Sequence, residues 1–252
     1  VVPAGDAHDW TAEPFSGRVD DRYVWGRGAA DMKAGVIAHA YAAIALRRAG
    51  VRLDGDLLLH TAVGEEMGDH TCGTTAILDR GYRADAAVVC EPTSAGDRPA
   101  VVPGHPGMIW FSVTVTGRTA HVGMRGPTVH PAAEGWSLGV NAIDKGFYVY
   151  AALRQLEQEW AHTKRHPLFA PGYFALLPGV AVGSPKGILV PFFLADSMTL
   201  EYCTYHHPDE DPERVKAEIQ THIERACVLD PWLRDHPPTV EWKLEWPPTQ
   251  VP

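Results

Sequence analysis

The chain has 252 residues, 45% of them hydrophobic, with 22 Lys and Arg against 31 Asp and Glu and a net charge of −9. That length allows one large or two ordinary domains, and the acidic balance argues against a nucleic-acid or membrane-surface partner, since both want a basic face. No run of about eighteen apolar residues is present to span a membrane, and the first residues lack the basic-then-apolar pattern of a leader. Cys72, Cys90, Cys203 and Cys227 are widely spaced, which suggests neither a disulfide framework nor a thiolate zinc site, so a reducing cytoplasm is the expected location. The first residue is Val1 rather than Met, and Pro252 follows a strand-like run, so the chain reads as an internal fragment.

Residues Val1 to Asp21 are broken by Pro3, Gly5, Pro14 and Gly17 and predict a loop. Arg22 to Trp25 fits a short strand, and Gly26-Arg27-Gly28-Ala29-Ala30-Asp31 a glycine-marked turn. Met32 to Ala49 predicts a helix with Val36, Ile37, Ala40 and Ile44 on one face, closed by Arg47, Arg48 and Gly50. Leu57 to Val63 is an apolar run of the kind found in a central parallel strand; a helix near Thr74 to Arg80 follows, then a second all-apolar strand, Ala86 to Cys90. Strand, helix, strand, helix, strand describes a parallel α/β unit.

All three candidate strands end at carboxylates: Asp31 after the first, Glu65 and Glu66 after the second, Glu91 after the third. Ligands in open parallel sheets bind beyond the carboxyl ends of the strands, so this topology gathers four acids in one crevice. Like charges so crowded are costly unless protons or cations neutralise them, and oxygen donors with a few histidines suit zinc, manganese or cobalt.

The Pro/Gly cluster from Pro99 to Gly107 predicts a hinge. Beyond it, Trp110 to Thr116 alternates as a strand with one wet face, Pro131 to about Trp160 has helical spacing, and two alternating runs lie near Tyr173 to Val182 and Met198 to Tyr205. Asp211-Pro212-Glu213 opens a helix running to about Cys227, and Thr239 to Trp246 is a last strand. This βαββαβ order is that of a ferredoxin-like sandwich. The expected organisation is therefore α/β, with residues 1–103 in the first domain and residues 104–250 in the second.

Val1-Val2-Pro3-Ala4-Gly5-Asp6, the Trp10 to Phe15 segment, Gly26 to Lys33, Gly64-Glu65-Glu66, Cys90-Glu91-Pro92-Thr93 and Gly117-Arg118-Thr119-Ala120-His121 together resemble the M20 metallopeptidases and deacylases, particularly the acetylornithine deacetylase and succinyl-diaminopimelate desuccinylase branch. The resemblance implies two divalent metal ions, most simply zinc, with cobalt or manganese as alternatives. Asp31 would bridge them, Glu66 would bind one and Glu91 the other. Glu65 would be the general base, the Asp31-Met32 peptide would be cis, and His121 would reach across a dimer interface to stabilise an oxyanion. Residues 104–250 would be the lid and dimerisation domain of a homodimer. The family's two histidine ligands would lie upstream of Val1 and beyond Pro252, in segments including the returning half of the catalytic domain, so the fragment alone is expected to bind metal poorly and hydrolyse little. His8, His60 and His70 occupy no family ligand position.

The implied activity is hydrolysis of the amide bond of an N-acyl amino acid or similar small substrate. A dipeptidase or carboxypeptidase of the same family is the nearest alternative. A non-catalytic dimerising relative, and a domain whose acids are merely solvated, are rivals of other kinds. Two departures bear on specificity: Ile188-Leu189-Val190-Pro191 replaces an expected Asn-x-x-Pro, and Tyr205 stands where an arginine is often found. Arginine is the usual bidentate partner of a carboxylate, so its loss argues against plain α-amino-acid recognition.

Overall fold

The structure, a computed structural model, describes residues 1–67, 71–92, 100–124 and 138–250. His70, Thr93 and the predicted helical stretch 131–137 lie outside these residues. The chain forms two compact units, Val1–Ala100 and Val101–Pro252.

The second unit is built around strand β2 (Gly107–Thr116), after a two-residue strand β1 (Gly104–His105). Helix α3 (Ala142–Thr163; α1 and α2 belong to the first unit) and strands β3 (Leu176–Ser184) and β4 (Ser197–His206) follow. Helix α4 (Pro212–Cys227), β5 (Thr239–Trp246) and β6 (Thr249–Gln250) complete it. Strands β3, β4, β2 and β5 lie side by side in that order, every pair antiparallel, so the long elements run βαββαβ with each helix crossing over an intervening strand. A separate antiparallel pair, β1 with β6, joins the start of the unit to its end.

The alternation in β2 decides which face carries the core. Ile109, Phe111, Val113 and Val115 are fully buried and belong to one apolar cluster. Val149, Leu153, Leu156 and Trp160 of α3 join it, as do Val215, Ile219, Ile223 and Cys227 of α4. Both sets follow helical spacing along a single stripe. Helix α4 starts as its sequence predicts: the Asp211 side chain accepts the Glu213 N–H at 3.0 Å, with Pro212 in the first turn. Helix α3 does not reach back through the described residues 138–141. Asn141 caps it by accepting the Ile143 N–H at 3.2 Å, while the backbone of Val140 is already paired with Arg118.

The first unit differs from expectation. Its described residues hold no β-ladder beyond an isolated Val19–Val24 bridge, so the predicted parallel strands at Leu57 to Val63 and Ala86 to Cys90 are extended but unpaired. Leu57, Leu58 and Leu59 are about half exposed and Val88 is 80% exposed. A parallel strand needs hydrogen-bonded neighbours and a cover on both faces, and these runs have neither here. The helices do form, as α1 (Ala34–Arg48) and α2 (Gly73–Asp79). The inward face of α1 is not the predicted one. Gly35 is buried and Val36, His39, Ala40 and Ala43 are partly buried, whereas Ile37 and Ile44 face solvent.

Candidate metal centre

Asp31 sits in a single wide turn, Ala29–Lys33, directly before α1. Gly28 enters that turn at φ 82°, and the Asp31-Met32 peptide is cis. Glu65 and Glu66 open a short 3-10 turn, Glu65–Met67, placed by Gly64. That glycine has φ 77°, and a Cβ on it would stand 2.3 Å from the Cys72 sulfur, so both conformation and space favour glycine. Glu91 follows Cys90 on the third segment.

These three segments bring the predicted acids together. Asp31 lies close enough to the carboxyl groups of Glu66 and Glu91 to bear on both. Carboxyl groups so crowded favour the neutral form, and both glutamates are displaced in that direction. Glu66 is held above the usual carboxylate range by loss of hydration, then by the charges of Asp31 and Glu65. Glu91 is raised in the same way by loss of hydration and by the charges of Asp31, Glu65 and Glu66. All four residues remain open to solvent.

As they stand, the acids are a group of neighbouring carboxyl groups rather than a ligand shell: among the described residues no three His, Cys, Asp or Glu side chains converge to hold a metal ion. The donor chemistry nevertheless suits a divalent cation. Both glutamates are carboxylates whose neighbours favour neutralisation, and a hard or borderline cation can take the place of a proton.

His121, in the second unit, is exposed beyond β2 and sits in an isolated bridge to Phe193. Its ring meets Phe193 edge-on at 5.5 Å, and its Nδ1 accepts the Gly123 N–H at 3.0 Å. With Nδ1 accepting, the neutral ring carries its proton on Nε2 and presents a donor there. Tyr205 lies on the partly open face of β4 with its ring 5.9 Å from that of Tyr173, and burial raises its hydroxyl pKa. Ile188 is 55% exposed in a turn closed by its N–H to Pro185. His8 and His60 are exposed.

The sequence reading missed one pair beside the acids. The His39 Nε2 lies 2.9 Å from the Cys90 sulfur. Its only trace in the sequence is that His39 falls one turn after Gly35, a relation that means little until Cys90 is known to lie against that face.

Neighbouring carboxyl groups gathered on the turns of the first unit are a donor set of the kind that metal-dependent hydrolases use. Residues 1–247 match Peptidase family M20/M25/M40, and the chain belongs to that family. It is 33% identical over 243 residues, 96% of this chain and 54% of the relative, to N-formyl-4-amino-5-aminomethyl-2-methylpyrimidine deformylase of Halalkalibacterium halodurans. It is 42% identical over 234 residues, 90% of this chain and 54% of the relative, to succinyl-diaminopimelate desuccinylase of Rhodospirillum centenum. The chain thus spans about half the length of these curated relatives. The crystal structure of an M20 family metallo-carboxypeptidase from Sulfolobus solfataricus shares the fold at a TM-score of 0.54 and 15% identity, covering 97% of this chain and 62% of that one. M20 hydrolases act on amide bonds, and the chain has the α/β fold of that family. Among the described residues no helix is long and apolar enough to cross a membrane.

Proposed function

We propose that the protein is a divalent-metal amidohydrolase that removes a small acyl group from the amine of an N-acylated small substrate. The observation carrying this reading is the meeting of Asp31, Glu65, Glu66 and Glu91 from three separate segments, close enough for their charges to act on one another. Asp31, Glu66 and Glu91 would hold the metal, most simply two zinc ions. When bound, such ions polarise a scissile carbonyl and make water nucleophilic near neutral pH. Glu65 takes the proton of the attacking water and returns it to the departing amine. His121 would reach across the dimer interface and donate a hydrogen bond from Nε2 to the oxyanion in the partner subunit's site, a contact worth on the order of 3 kcal/mol. We also propose that the protein works as a homodimer through its second unit, with no nucleic-acid or membrane partner.

Two substrate readings differ in what they ask of Tyr205 on β4. An N-acyl amino acid of the acetylornithine type is the first reading. A second, an N-formyl amine without a carboxylate, is favoured by Tyr205, a neutral side chain where arginine would pair with a carboxylate, and by the deformylase named above. The test is metal analysis and amide hydrolysis by the complete protein against N-formyl aminopyrimidine, N-acetylornithine and N-succinyl-diaminopimelate. Hydrolysis with about two metal equivalents is expected, both lost in Asp31→Ala. A protein that takes up no metal, or an Asp31→Ala variant that keeps full activity, overturns the proposal.

A further inference from the structure

We infer that His39 is a positioning residue for Glu91, acting through Cys90. The inference rests on the reading of Asp31 and Glu91 as metal-holding residues. Helix α1 begins immediately after the turn that carries Asp31, and Cys90 immediately precedes Glu91, so whatever joins α1 to Cys90 sets the separation of the two acids. Two contacts join them. At Gly35 a Cβ would stand 2.5 Å from the Cys90 carbonyl oxygen and 2.8 Å from its Cβ, so only glycine lets the backbones approach this closely. One turn further along the same face, the His39 Nε2 meets the Cys90 sulfur at 2.9 Å, with both side chains partly buried. The glycine contact fixes how near the segment lies, and the imidazole–sulfur bond fixes where along the helix it sits.

The clamp matters because nothing regular replaces it. Among the described residues 86–90 pair in no β-ladder, and Val88 and Val89 are 80% and 69% exposed, so apolar packing anchors them little. Glu91 nonetheless lies near Asp31. A side chain that orients a ligand without touching the metal commonly changes metal affinity by about 10- to 100-fold.

The experiment compares wild type, His39→Ala, His39→Gln and Cys90→Ala in the complete protein. His39→Gln keeps a polar nitrogen within reach of the sulfur, and Cys90→Ala removes only the sulfur. Zinc affinity is expected to fall about tenfold or more in His39→Ala and Cys90→Ala, with Tm nearly unchanged, and to return to within about threefold of wild type in His39→Gln. Wild-type affinity in His39→Ala, or a His39→Gln variant as weak as His39→Ala, overturns the inference. If His39→Ala does not fold, Cys90→Ala decides. Alkylation of Cys90 by iodoacetamide in metal-free protein gives a readout that does not depend on zinc. Faster reaction in His39→Ala than in wild type and His39→Gln upholds the clamp, and equal rates refute it. Wild-type protein that takes up no zinc but shows the expected alkylation pattern would sink the metal reading and leave the positioning role standing.

Discussion

The two units solve the same physical problem differently. The second, from Val101 on, satisfies its backbone within itself: each of its four main strands has an antiparallel neighbour, and two amphipathic helices bury one face of the sheet. The first, up to Ala100, keeps its helices but leaves its apolar runs unpaired and about half exposed. Chemistry and stability are correspondingly divided. The carboxylates that read as functional stand on turns and extended segments of the less regular unit, while the fully buried side chains belong to the sheet-and-helix unit. Functional groups on loops need a rigid neighbour to position them, and in the first unit the local candidate is helix α1.

The sharpest way to break this division is at Glu65. In the complete protein Glu65→Ala is expected to lower turnover about 10²- to 10⁴-fold while metal content and Tm stay near wild type. A large fall in Tm with activity retained per folded molecule would reverse the assignment. Next in size, Leu153→Ala removes a fully buried side chain from α3 and is expected to cost about 2–5 kcal/mol by denaturant titration. A cost under about 1 kcal/mol would show that the second unit is not the stable one.

Asp230 gives a smaller effect that depends on pH. Burial pushes its carboxyl pKa up, but the Lys145 ammonium at 2.6 Å and the N–H groups of Leu233 and Trp232 outweigh this and hold it below the ordinary value. A depressed folded-state pKa means that the stabilisation is present above the unfolded pKa near 4 and is lost as pH falls through the folded value. Asp230→Ala should therefore cost about 1 kcal/mol at pH 7, and the difference from wild type should fade towards pH 3. An equal cost at both pH values would point to packing instead of charge. The smallest effect is expected at Leu58, 43% exposed in the first unit, where Leu58→Ala should change stability by no more than about 0.5 kcal/mol. A loss comparable with that of Leu153→Ala would mean that Leu58 is covered in the working protein and would erase the contrast between the units.

Several elements were legible because a local signal decided them. Helix α4 announces itself through Asp211 and Pro212, strand β5 through strict alternation from Thr239 to Trp246, and the end of α1 through Arg47, Arg48 and Gly50. The convergence of Asp31, Glu66 and Glu91 was legible for another reason. Each acid closes an apolar run or a glycine-marked turn, and these ends come together although the runs that carry them form no ladder among the described residues. The start of α3 was not legible, because Asn141 competes for the backbone as a cap where spacing alone continued the helix.

What the sequence determined by itself, then, was the helices of the first unit, the strands and helices of the second, and the family, all of which follow from side-chain chemistry and short-range spacing. Tertiary structure alone decided which face of α1 turns inward and that His39 reaches Cys90 across 51 positions. Those outcomes depend on how closely two backbones can approach, as Gly35 permits at Cys90, and such a distance is set only when separate segments pack.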